Sequence, residues 1–128
     1  MAHQHSQRFL DIVEDAKRRI TEITAAELAQ RLASQHSQAH PLTLIDVREA
    51  HEYQAGRIPT AEHLCKGILE RDIESRVPDP ATEIVLYCGG GFRSALAADN
   101  LQKMGYRRVL SLAGGWRTWT ESGHPTER

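Results

Sequence analysis

The chain has 128 residues, 40% of them hydrophobic and 26% charged, with a formal net charge of −1. That length suits one domain able to bury a core without staples. The near-neutral balance excludes a bulk electrostatic pull toward nucleic acid or acidic membrane, and no apolar run approaches the ~18 residues of a membrane span.

Read in chain order, Phe9, Ile12, Val13 and Ala16 recur at helical spacing, so residues 7–19 are predicted helical with Ser6 as cap. A short strand is expected over 20–24. Thr24 and Glu27 have the spacing of a capping box before a helix over 25–35. Residues 34–41 are polar and read as a loop; its His36 and His40 are too few for a metal site. "LTLIDV" (42–47) is a β-rich run, "REAHEYQAG" (48–56) a short helix stopped by Gly56, and 57–64 a turn with a short strand. Residues 66–77 are weakly helical, and "PDPAT" (78–82) is a turn. "EIVLYC" (83–88) is a near-continuous apolar run, the pattern of a buried parallel strand. A helix over 92–104 with Gly105 at its end, a strand over 108–112 and a turn with a short helix over 113–123 complete the chain.

This alternation predicts an α/β domain around a mostly parallel sheet of about five strands. Residues 1–128 read as one domain, with 1–19 as an N-terminal helical extension. "MAHQHSQRFLDIVEDAKRRI" has no basic segment followed by an apolar one, so it does not read as a secretory signal. The two cysteines, Cys65 and Cys88, are too few for a disulfide framework and sit in no C-x-x-C pair. A cytoplasmic protein with reduced thiols is the expectation.

The chemistry concentrates in "CGGGFRS", residues 88–94. In open α/β sheets ligands bind beyond the carboxyl ends of the strands, where Cys88 falls. Gly89, Gly90 and Gly91 allow a tight turn in which successive N–H groups converge on one point. The helix beginning at Phe92 adds its positive end, and Arg93 adds a full charge. All three features favour negative charge on sulfur and make Cys88 a candidate nucleophile. The glycine run lacks the third glycine of a dinucleotide fingerprint and the Gly-Lys-Ser/Thr of a phosphate-binding P-loop.

Three ordered stretches, "LIDVREAHEYQAGRIPTAEHL", "CGGGFRS" and "VLSLAGGWRTW", resemble the rhodanese (thiosulfate sulfurtransferase) family across residues 42–119. The resemblance implies a three-layer fold with helices on both faces of the sheet. It implies a Cys88 persulfide, formed from thiosulfate or a related sulfane donor and passed to a thiol or cyanide, with the N–H groups of residues 89–94 holding the charge. No cofactor or metal is implied. The alternative is a sulfur-carrier or sensing module that hands the sulfur to a protein partner; the oligomeric state is left open. Related phosphatases and arsenate reductases use Cys-x5-Arg, whereas Cys88 and Arg93 form Cys-x4-Arg, a tighter cup suited to one sulfur.

Asp46 is expected to orient the loop rather than act as a base. Arg48 either pairs with Glu52 at i,i+4 or faces substrate. Arg57 and Lys66 are candidates for attracting an anionic donor. Cys65 is either inert or a second thiol for Cys88. Phe92 either faces the pocket mouth or fills a gap, Trp116 and Trp119 read as packing residues, and Thr60 replaces a glycine common after Ile-Pro in the family.

Overall fold

The computed structural model describes residues 4–35 and 41–128; His36 and His40 lie outside them. The elements are α1 (Gln7–Lys17), β1 (Thr21–Ile23), α2 (Ala25–Ser34), β2 (Thr43–Asp46), α3 (Ala50–Ala55), β3 (Glu62–His63), α4 (Lys66–Arg76), β4 (Glu83–Tyr87), α5 (Phe92–Lys103), β5 (Arg108–Leu112) and α6 (Gly115–Glu121). The sheet runs in the order β1-β5-β4-β2-β3, and every neighbouring pair is parallel.

A parallel sheet must be covered on both faces, and strand β4 shows how the sequence achieves it. Its side chains alternate with period two. Ile84 and Leu86, with Cys88 just beyond, enter a core shared with Leu69 and Ile73 of α4 and Ala97, Ala98 and Leu101 of α5. Val85 and Tyr87 enter the opposite core with Leu28 of α2 and Trp119 of α6. Each fully buried aliphatic chain contributes about 1.5–3 kcal/mol. The weak helical pattern of 66–76 still forms α4, because Leu69 and Ile73, one turn apart, are both completely buried.

Helix boundaries follow local chemistry. The Thr24–Glu27 capping box closes in both directions at the head of α2. Ser6 occupies the cap position of α1 without a side-chain bond. A second box, Glu49 with Glu52, starts α3 two residues later than residue 48.

The topology sets the site. From β2 the chain moves outward to β3, then returns past β2 to β4 and moves outward the other way to β5. The connections leaving β2 and β4 therefore diverge, which opens a crevice beyond their carboxyl ends. Asp46 and Tyr87 are register partners there, and the next residues are Val47 and Cys88.

Candidate active site

Cys88 is the first residue past β4 and is 1% exposed. Its sulfur receives the N–H groups of Gly91 at 3.2 Å and Ser94 at 3.3 Å. The Cys88 thiol donates to the Ser94 hydroxyl oxygen at 3.5 Å, and that hydroxyl is 2.8 Å from the buried hydroxyl of Ser111 on β5. Two amide N–H groups thus converge on one sulfur at the head of α5, where the helix's positive end adds to the same field.

The three glycines do different work. Gly91 has φ of +95° and caps α5 in the left-handed region, and a Cβ there would meet the Gly114 nitrogen at 3.1 Å. Gly89 lies under the Arg93 guanidinium, 3.0 Å from where a Cβ would sit, whereas a Cβ on Gly90 would point into open space. The loop is clamped from behind by the second glycine signature. The Cys88 carbonyl accepts from Trp116 N–H at 2.8 Å, and that of Gly89 from Arg117 N–H at 3.0 Å. A Cβ on Gly115 (φ +55°) would come within 2.5 Å of the Cys88 carbonyl oxygen, so only glycine permits this approach.

Arg93 is not a free charge. Its Nη1 and Nη2 donate to the two carboxylate oxygens of Glu52 at 2.9 and 3.2 Å. This pairing raises the Arg93 pKa and holds the Glu52 carboxyl below its usual range. The i,i+4 pairing of Arg48 with Glu52 is replaced by it. Arg48 instead turns inward, 3% exposed, and donates to both carboxylate oxygens of Asp46 and to the Gly56 carbonyl. Its guanidinium also lies 4.8 Å from the centroid of the Trp116 ring and 5.6 Å from that of Tyr87. Neither a surface ion pair nor a substrate-facing Arg48 describes that geometry. Asp46 also accepts the Arg48 backbone N–H at 2.9 Å, and the Val47 N–H bonds the Tyr87 carbonyl at 2.9 Å. The pair thereby fixes the chain beside the residue that precedes Cys88.

The two other basic candidates lie elsewhere. Arg57 forms a backbone bridge and an ion pair with Glu127 and packs on the Tyr53 ring, so it clasps the C-terminal segment. Lys66 opens α4, half-buried. Neither they nor Cys65, a free thiol at the cap of α4, lines the two cavities beside the Cys88 loop. Phe92 lines both. Trp119 is buried, with its indole N–H on the Pro125 carbonyl at 2.7 Å, and packs as expected.

Sequence reasoning missed Ser111, Glu52 as the partner of Arg93, and the N-terminal residues His5 and Phe9. Ser111 left one signal, a serine at a buried alternating position of an apolar strand. Phe9 left only its place in a helical pattern and His5 left nothing, since the Phe92 ring that both meet comes from a distant helix.

Fold and site together are those of a parallel α/β domain that presents a cradled thiol at its topological switch point. The rhodanese-like domain profile matches residues 24–122, and the chain belongs to that family. A sulfurtransferase of Allochromatium vinosum is 35% identical over 106 residues, covering 83% of this chain and 94% of that protein. The "Putative sulfur carrier protein YrkF" of Bacillus subtilis is 33% identical over 101 residues; the match covers 79% of this chain but only 51% of that longer protein. Among solved structures, one from Rhodopseudomonas palustris, titled a protein of unknown function and "Possible Tyrosine Phosphatase", superposes with a TM-score of 0.80 at 30% identity, covering 99% of both chains. The polysulfide-sulfur transferase of Wolinella succinogenes superposes at 0.75 with 27% identity, covering 94% of this chain and 87% of that one.

Proposed function

We propose that the chain is a sulfurtransferase that carries a sulfane sulfur on Cys88 as a persulfide. The observation that carries this reading is the convergence of the Gly91 and Ser94 amide N–H groups on one buried sulfur. In the first half-reaction the Cys88 thiolate attacks the outer sulfur of thiosulfate. The new S–S bond forms as the old one breaks, and sulfite leaves with the bonding electron pair. In the second, an acceptor thiolate or cyanide attacks the outer sulfur, and Cys88 departs as thiolate. This is double displacement through a covalent intermediate.

Negative charge stays on sulfur throughout, so a fixed set of donors serves every step without reorganising. The loop from Gly89 to Ser94 supplies those donors and the Asp46–Arg48 pair holds the strand ends in place. Of the basic candidates, Arg93 rather than Lys66 or Arg57 has the position to meet an anionic donor, since it lines both cavities. Residues 1–128 act as one domain in this reading, in the reducing cytoplasm that suits two free thiols.

The resemblance to the Bacillus sulfur carrier favours a second reading, in which the persulfide is delivered to a protein partner and small-molecule turnover is incidental. Steady-state turnover of thiosulfate with cyanide separates the two. The enzyme reading predicts about 10 s⁻¹ or more, abolished in Cys88→Ser. A negligible rate beside a stable persulfide selects the carrier. Hydrolysis of a phosphotyrosine mimic that is lost in Cys88→Ser would overturn both in favour of phosphatase chemistry.

A further inference from the structure

The segment ahead of the family domain reaches the reactive loop. Helix α1 packs on α5, and its Val13 and Ala16 are buried. Arg19 locks it there, donating from Nε and Nη2 to the two carboxylate oxygens of the buried Asp99 at 2.9 and 2.8 Å. The Arg19 carbonyl in turn accepts from Gln102 at 2.9 Å. This anchoring holds the start of the segment against Phe92. The His5 ring meets Phe92 edge-on with centroids 4.7 Å apart, Phe9 lies 5.2 Å from His5 and 6.2 Å from Phe92, and Lys17 Nζ sits 5.3 Å from the Phe92 centroid.

These rings enclose the space beside the sulfur. His5, Phe9 and Phe92 line a cavity of about 380 Å³ together with Cys88, Gly90 and Arg93. A second cavity of about 1200 Å³ borders the same loop and adds Gln7, Arg117 and Thr118 among its lining residues. At roughly 30 Å³ per water-sized group, cyanide fills only a small part of the inner space. The remainder is walled by the aromatic rings and the Arg93 guanidinium, and the outer cavity adds the Gln7 amide and the Arg117 guanidinium, which pairs with the Glu121 carboxylate at 3.5 Å. That combination suits a thiol carried on an extended organic body with amide or carboxylate groups.

We propose, building on the persulfide reading above, that His5 and Phe9 determine which acceptor Cys88 serves. With Phe92 they form the wall on which the carbon body of a peptidic thiol lies during the second half-reaction, while its polar groups reach Gln7 and Arg117. The specificity of the domain then resides partly in residues 4–9, outside the matched 24–122.

The test uses the full chain and the double variant His5→Ala/Phe9→Ala, which leaves the Arg19–Asp99 anchor intact. Both proteins are loaded with thiosulfate, the persulfide is verified by intact mass, and its discharge is timed with glutathione and, separately, with cyanide. The rate constant with glutathione is expected to fall about fivefold or more, the loss of one or two aromatic contacts, through a higher KM. The cyanide rate is expected to stay within about twofold, since so small a nucleophile does not reach the wall. Phe9→Leu, which keeps apolar bulk, is expected to retain most of the glutathione rate. Equal losses with both acceptors would mean that the segment only props up the loop and would overturn the proposal. So would no change with either, or a faster glutathione reaction. A wild-type protein that takes up no sulfur would instead overturn the persulfide reading and this inference with it.

Discussion

At the scale of single residues, the Cys88 loop depends on one glycine far more than on its neighbours. Gly91 combines a left-handed φ with backbone atoms 3.1 and 3.3 Å from a would-be Cβ, and its own N–H faces the sulfur. Gly91→Ala is therefore expected to cost about 1–3 kcal/mol of stability and to cut sulfur transfer at least about tenfold, about 1.4 kcal/mol in the barrier. Gly90→Ala, with nothing within 4 Å of the new methyl, is expected to stay within about 0.5 kcal/mol of wild type. Denaturant melts and a sulfite-release assay on the pair check this contrast; equal effects would refute the assignment. The triple glycine was legible in the sequence as a cradle, but its division of labour was not, because φ and the approach of Gly114 depend on a segment over twenty residues away. The same limit explains Arg93. Its proximity to Cys88 follows from spacing, whereas Glu52, the carboxylate that takes up its fork, arrives from α3 forty-one residues earlier.

At the scale of elements, strands and helices were legible where the pattern was strong and local. The apolar run of β4, the capping box of α2 and the helix after the glycines all fall within a residue or two of their expected ends. The connection between α3 and β3 carries a departure from the family with a physical consequence. Thr60 follows Ile58-Pro59 and has φ of +76°, and it is the one non-glycine residue with positive φ among those described. A β-branched residue in that region carries strain of about 1–2 kcal/mol, which explains the family's preference for glycine there. Thr60 is exposed, so its side chain offers little burial to offset the strain. Thr60→Gly is expected to raise stability by about 0.5–1 kcal/mol, less than the full strain because glycine gains freedom in the unfolded chain. Thermal melts of the two proteins measure it, and a lower Tm in the variant would contradict the strain argument. Arg48 shows the reverse case. Its i,i+4 relation to Glu52 is a sound helical rule, but Arg48 precedes α3, which begins at Ala50, so the rule had no helix to act on.

At the scale of the whole molecule, the order of strands determines where chemistry happens. The divergence of the chain from β2 and β4 places Asp46 and Cys88 at one crevice, and the Gly114–Gly115 turn returns from β5 to brace it. The helix–strand alternation was enough to expect a parallel sheet but not to deduce its order, which depends on crossovers that leave no local mark. The docking of α1 beside Phe92 was hidden for the same reason, although Arg19 and Asp99, its anchor, are eighty residues apart and both charged. No helix among the described residues is long and apolar enough to cross a membrane. Under the proposed function this architecture holds a sulfane sulfur on Cys88. Intact mass after incubation with thiosulfate, on wild type and Cys88→Ser, tests it most directly. A Cys88 persulfide predicts a gain of one sulfur atom on the wild-type chain, reversed by cyanide and absent from the variant. An unchanged wild-type mass, or an equal gain on Cys88→Ser, would contradict it.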